Sequence, residues 1–259
     1  MLISEPQAAL YDFLYHLQQG HRYVPFELNK PVNILVYDLG GGTLDVTLHE
    51  VEWDHQKNRF IINDLAIGSR TRIGGDIIDN LISEYILKNH QDFAKLSEVE
   101  KNKLRYELPI YAEKFKKVWG SQYQQSQDKT NFNYTFQGLF LDAKFPIRHN
   151  INTEKMQEIL APLFCEDLSL NILEHLEPDQ AFNLPPFSDR LNTLIVPVLE
   201  VLLKAKQTQG IIPVVDGILL NGGMTYFPLI KVRLIKLFPS VPILDDSIRD
   251  LSVARGASL

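Results

Sequence analysis

Asp38-Leu39-Gly40-Gly41-Gly42-Thr43-Leu44-Asp45 decides the reading of this chain. The run before it, Asn33-Ile34-Leu35-Val36-Tyr37-Asp38, has the apolar content of a short buried strand, and residues 44–51 alternate like a second strand. A tight turn between two strands needs one or two glycines. A third weakens it, because glycine costs roughly 0.5–1 kcal/mol relative to alanine. Three in a row suit a loop whose successive N–H groups form a nest for phosphate oxygens. Asp38, at the strand end, can hold a hydrated metal ion or orient a water, and Thr43 adds a hydroxyl. Asp45 lies two residues beyond Thr43, on the same strand face, where it can reach the same metal. A flexible hairpin beside an unrelated aspartate is the plainer alternative, and these residues alone leave both open.

Working outward, residues 60–67 read as a third strand, so the region forms an antiparallel meander. Upstream, Ser4 or Glu5 caps a helix, Pro6 suits its first turn, and Ala9, Leu10, Phe13, Leu14 and Leu17 share one face until Gly20 ends it. Downstream, Gly74-Gly75 precedes a helix from near Asp76, and residues 97–119 are helical in composition with Pro109 as a kink or restart. The chain turns polar from Gly120, then alternates through Phe132, Tyr134 and Phe136 and again over 140–145, as a small sheet. Asn152 caps a helix through Met156, Ile159 and Leu163. Residues 166–190, with Pro178, Pro185 and Pro186, read as a loop-rich insertion. A helix over 191–206, a strand over 214–220, a turn at Asn221-Gly222-Gly223, a helix over 228–238 and a small-residue helix over 250–259 are the remaining expected elements.

Composition bounds the answer. The 259 residues are 45% hydrophobic and 22% charged, with formal net charge −6. These ordinary values exclude disorder, collagen and coiled coil. The acidic excess argues against nucleic-acid or membrane-surface partners. No apolar run approaches the ~20 residues of a membrane span, and the first residues lack the pattern of a signal peptide. A lone cysteine, Cys165, allows no internal disulfide and fits a reducing, cytoplasmic setting as a buried structural thiol. The seven histidines show no His-x-x-x-His pair, so no dedicated zinc site is expected.

Asn221-Gly222-Gly223-Met224 is a second strand–glycine–helix junction, where a flat ligand could lie against backbone. By helical angle, Tyr111, Phe115, Val118 and Trp119 fall on one side of their helix, and Glu113, Lys116, Lys117 and Gly120 on the other, which reads as an exposed charged face. Glu5 with Ala8-Ala9, and Gly256-Ala257-Ser258 at the other end, allow two small-residue helices to cross closely as a hinge.

Taken in order, these blocks resemble the ATPase domain of the heat-shock protein 70 (DnaK-like) chaperone family, within the actin/sugar-kinase superfamily. The resembling residues are Glu5-Pro6-x-Ala8-Ala9, the glycine-triplet block from Asp38 to Asp45, Ile73-Gly74-Gly75-Asp76-x-x-Asp79 and Ala112-Glu113-Lys114-x-Lys116-Lys117. Leu219-x-Asn221-Gly222-Gly223-Met224-Thr225-x-x-Pro228 and Asp250-x-x-Val253-Ala254-x-Gly256-Ala257 follow. Residues 121–200 match poorly.

The resemblance implies an α/β fold, an actin-like (ribonuclease H-like) ATPase lobe with a mixed sheet flanked by helices. Residues 1–73 and 192–259 would form its core, and 74–191 an inserted, smaller α+β subdomain. The implied cofactors are ATP or ADP and Mg2+. Gly40, Gly41, Gly42 and Thr43 would contact phosphates. Asp38 and Asp45 would hold magnesium-bound waters or the attacking water, with Glu5 near the same shell. Glu113, Lys116 and Lys117 would line the adenosine pocket, which reverses the bland reading of that helix face. Gly222, Gly223, Met224 and Tyr226 would form the opposite wall, with Asp250 at its closing end. Two departures stand out: Gly120 where the family has a serine, and Tyr226 where it has an arginine. The resemblance further implies that the site is completed by a first lobe not contained in this sequence. A substrate-binding domain, co-chaperones and a nucleotide-exchange factor are the other implied partners. A nucleotide-sensing pseudo-ATPase and a sugar or acetate kinase are the alternatives.

Overall fold

The computed structural model describes residues 4–176, 193–245 and 252–257. Strands β1 (Val32–Leu39), β2 (Leu44–Asp54) and β3 (Arg59–Ile67) form the expected antiparallel meander. Strands β6 (Gly217–Asn221) and β7 (Ile243–Asp245) then add in parallel beside β1, giving the order β3-β2-β1-β6-β7. The sheet is therefore mixed, and its central strand pairs with a segment some 180 positions later (Asp38 opposite Asn221).

Strand β1 is buried on both faces, which explains its nearly unbroken apolar run. Val32, Ile34 and Val36 pack under helix α1 (Glu5–Gln18) with Leu10, Phe13 and Leu14. Leu35, Tyr37 and Leu39 face the other way, toward the core that includes helix α5 (Val196–Gln209). Helix α1 starts as its sequence requires: the Ser4 side chain accepts from the Gln7 N–H, and the Gln7 side chain returns to the Ser4 N–H. The C-terminal helix α7 (Ser252–Gly256) crosses α1, and a Cβ on Gly256 would overlap the Ala8 carbonyl. Arg255 there pairs with the buried Asp12 at 2.7 Å.

Between β3 and α5 run α2 (Gly75–Asn89), α3 (Glu98–Gln125), the hairpin β4 (Asn133–Phe140) and β5 (Phe145–Asn152), and α4 (Thr153–Phe164). Helix α3 passes through Pro109 without interruption and continues beyond Gly120 to Gln125. The reason is aromatic. Trp119 is fully buried, its Nε1–H donates to the Ile151 carbonyl, and Tyr123 one turn later stacks on it at 5.0 Å. Lys116 also departs from expectation. It is buried, not part of an exposed charged face, because the stripe Leu104, Leu108, Ala112, Lys116, Trp119 and Tyr123 turns inward.

The described part of the loop-rich segment is anchored to this core. Helix α4 ends at Cys165 in a left-handed conformation (φ 40°), and Leu168, Leu173 and Leu176 are buried. Arg233, buried on helix α6 (Pro228–Leu237), donates to the carbonyls of Phe164, Cys165 and Leu168 at 2.8–2.9 Å. Residues 177–192 lie outside the described set, as does most of the expected insertion. Among the described residues no helix is long and apolar enough to cross a membrane.

Replacing Arg233 by methionine keeps the volume but leaves three buried carbonyls without their donor. We expect a loss of about 3 kcal/mol in urea unfolding; an unchanged midpoint would show that water replaces the guanidinium freely.

Candidate functional site

The glycine turn is built from both sides. Gly40 N–H closes it on the Thr43 carbonyl at 2.9 Å. The start of α2 then docks on it: Gly75 N–H donates to the Gly40 carbonyl at 3.3 Å and Asp76 N–H to the Gly41 carbonyl at 3.0 Å. Gly74 must be glycine for this, since a Cβ there would overlap the backbone of Gly41 and Gly42. With two loop carbonyls turned to the helix, the N–H groups of Gly41, Gly42 and Thr43 have no acceptor among the described residues. Neither Gly41 nor Gly42 needs to be glycine for its own backbone. Neither has a positive φ, and a Cβ on either would meet nothing within 4 Å. The space over the loop is open.

Asp38 and Asp45 face one another across the β1–β2 pair and so share a face of the sheet. Asp38 is buried, and that burial pushes its carboxyl up to about 6. A hydrogen bond from the Asn221 side chain opposes the rise, as does the positive charge of Arg70, while Glu5 and Asp45 add to it. Asp45 is raised as well, again first by burial, with Arg70 opposing and Glu5 adding. Glu5, exposed at the start of α1, is thus the third carboxylate of this end. Among the described residues no three His, Cys, Asp or Glu side chains form a direct metal-ligating group.

Asn221-Gly222-Gly223 closes against the same place. Gly222 has φ 80°, and a Cβ there would overlap the Leu39 carbonyl and crowd Asp38 Oδ1 at 2.7 Å. Next comes a cavity of about 440 Å³, walled on one side by Lys116, Lys117, Gly120, Ser121 and Gln124 of α3 and on the other by Gly223, Met224, Tyr226 and Phe227. Two sequence blocks a hundred residues apart therefore meet. Lys116 sits at the inner end, where its Nζ reaches Asp79 at 2.8 Å and the Gly75 carbonyl at 2.9 Å. Glu113 is exposed outside the cavity and pairs with Lys117 at 2.7 Å. Gly120 has a packing reason of its own, since a Cβ would press on Pro228 at 3.1 Å and Phe227 at 3.4 Å. Asp250 lies outside the described residues.

Sequence reasoning missed Arg70. It stands 3.6 Å from Asp45, and only its neighbourhood in space reveals it, because nothing in Gly68-Ser69-Arg70-Thr71 marks an arginine for chemistry.

A sequence model of the family described as Hsp70 protein matches residues 2–175, well over half of the chain. The chain belongs to the Hsp70 family. It is similar to the chaperone protein HscA of Buchnera aphidicola subsp. Baizongia pistaciae, with 25% identity over 243 residues covering 93% of this chain and 35% of that protein. It is likewise similar to the HscA homolog of Rickettsia typhi, with 26% identity over 258 residues covering 100% of this chain and 30% of that protein. This Hsp70 chain thus spans about a third of the length of these curated relatives, and its mixed, helix-flanked sheet fits an actin-like ATPase lobe of the family.

The buried Asp38 carboxyl gives this Hsp70 chain a pH signature. Its folded value of about 6 lies above the ordinary 3.8. The native state therefore holds its proton more tightly, so stability from this group is full below 3.8 and lost as pH rises through 6, at most about 3 kcal/mol. We expect Asp38→Asn to be more stable than the parent at pH 7 and to lose that advantage by pH 4 in parallel urea titrations. Curves that stay parallel from pH 4 to 7 would refute the burial account.

Proposed function

We propose that this chain is the second-lobe, nucleotide-binding part of an Hsp70 chaperone, and that it contributes one wall of an ATP hydrolysis site. The observation that carries the reading is the glycine turn: three N–H groups with no acceptor among the described residues, under open space, next to two sheet-end carboxylates and a cavity of the size of a small ligand. Residues 1–73 and 192–259 would act as the core of the lobe, and 74–191 as its inserted subdomain.

In this reading the N–H groups of Gly41, Gly42 and Thr43 hold phosphate oxygens, since a row of backbone donors neutralises charge without side-chain entropy. Asp38 and Asp45 would hold a magnesium ion through its waters, and the ion would supply charge to neutralise the phosphate during transfer. Deprotonated Asp38 orients a water toward the terminal phosphate. Lys117, Gly120, Gly223 and Tyr226 flank the base and ribose. Tyr226 offers a ring face for stacking, worth about 1 kcal/mol. Catalysis in this reading consists of positioning and charge stabilisation.

Gly120 and Tyr226 favour a second reading, a module that senses nucleotide without turning it over. The two readings agree on binding and part on magnesium-dependent release of phosphate.

The Gly41→Asp variant separates site from fold. Open space around Gly41 means the side chain should be accommodated, while its charge lies where phosphate would. We expect calorimetry to show Mg-ATP affinity falling at least about tenfold, one lost charge-assisted contact, with thermal unfolding little changed. Undiminished binding would refute the phosphate assignment.

A further inference from the structure

The segment between β3 and α2 is fixed with unusual thoroughness for a loop that ends in an exposed side chain. Gly68 N–H donates to the Val46 carbonyl, and a Cβ there would crowd that carbonyl at 2.7 Å and Val201 at 3.0 Å. Ser69 is held by Glu200 of α5, which accepts from its N–H at 3.1 Å and its hydroxyl at 2.7 Å. Glu200 is buried and held in turn by Lys204 at 2.6 Å, and Lys204 also caps the Ile67 carbonyl. On the other side of Arg70, Thr71 exchanges both backbone hydrogen bonds with Leu44, at 2.9 and 3.1 Å. Leu44 directly follows the glycine turn.

Arg70 is therefore bracketed on both flanks, yet its own side chain is 63% exposed. Among the described residues its one ion pair is through Nε, at 3.6 Å from Asp45, which is too long for a hydrogen bond. Its Nη donors engage no group among the described residues. A guanidinium presents a planar fork that matches phosphate oxygens, unlike the point charge of lysine. An arginine whose flanking residues are held this firmly, at the mouth of a site with three carboxylates and, among the described residues, no other arginine or lysine acting on Asp38 or Asp45, is well placed to receive an anion.

We propose that Arg70 is a phosphate-binding residue, directing its free Nη donors to the terminal phosphates of a nucleotide seated on the Gly40–Thr43 turn. The inference rests on the nucleotide reading above and adds a cation from this chain to it. It also gives the Glu200–Ser69 contact a purpose, that of positioning Arg70.

The test is equilibrium binding of ATP and of adenosine, both with excess Mg2+ and read before appreciable turnover, to the purified protein and to its Arg70→Ala and Arg70→Lys variants. We expect Arg70→Ala to weaken ATP binding about tenfold while adenosine affinity stays within about twofold, Arg70→Lys to recover part of the loss, and the melting temperature to stay unchanged. If the parent binds both ligands and Arg70→Ala affects neither, or both equally, the Arg70 assignment is overturned and the nucleotide site stands. If the parent binds neither ligand, the nucleotide reading itself falls, and this inference with it.

Discussion

The start of α2 rests on the glycine turn with no side chain between them, and much of the site follows from that contact. Gly74 lies against Gly41 and Gly42 so closely that a single methyl group would break it. Two N–H groups at the helix start are spent on the loop carbonyls of Gly40 and Gly41. A helix start normally offers such groups to an anion. Here they turn the loop over, so that its carbonyls point inward and its own N–H groups point out. Among the described residues the N–H groups left without an acceptor here are thus those of the loop, not those of the helix start. The same contact fixes α2 on the sheet, and through Lys116, bound to Asp79 and the Gly75 carbonyl, it sets where α3 runs. The cavity beside α3 inherits its position from the turn.

Burial and charge compete at this end of the sheet. Asp38 sits with little solvent in a field that includes Asp45 and Glu5, and its carboxyl is held near 6 for that reason. Such a group is costly in the ligand-free protein and is relieved when positive charge arrives. Arg70 supplies some already, and a hydrated divalent ion would supply more. Carboxyls perturbed in this way cluster at functional clefts, and this end of the sheet carries two of them, Asp38 and Asp45.

Much of this was legible in the sequence. The triplet Gly40-Gly41-Gly42 announced itself because glycines cost stability in a turn that does not require them, and neither Gly41 nor Gly42 has a positive φ that would. The capping residues Ser4, Asn152 and Gly20 act locally, so local reading found them. Long-range features were harder. Lys116 reads as surface because charge is usually solvated; its burial depends on Asp79, 37 residues away, and on the Gly75 carbonyl. Helix α3 reads as ending near Gly120, since only the stacking of Tyr123 on Trp119 shows that the polar stretch still has a buried side. Arg70 was invisible, because its meaning lies in a bracket formed by Glu200 and Leu44 from distant parts of the chain.

The most direct measurement of the central claim is an amide NMR titration of the isotopically labelled protein with Mg-ADP and, separately, with adenosine. If the loop holds phosphate, the backbone resonances of Gly41, Gly42 and Thr43 move strongly with Mg-ADP and little with adenosine, while Gly20 and Gly210, at helix ends elsewhere, stay still. Shifts confined to the α3 cavity with both ligands, or absent from the three loop amides, would contradict it.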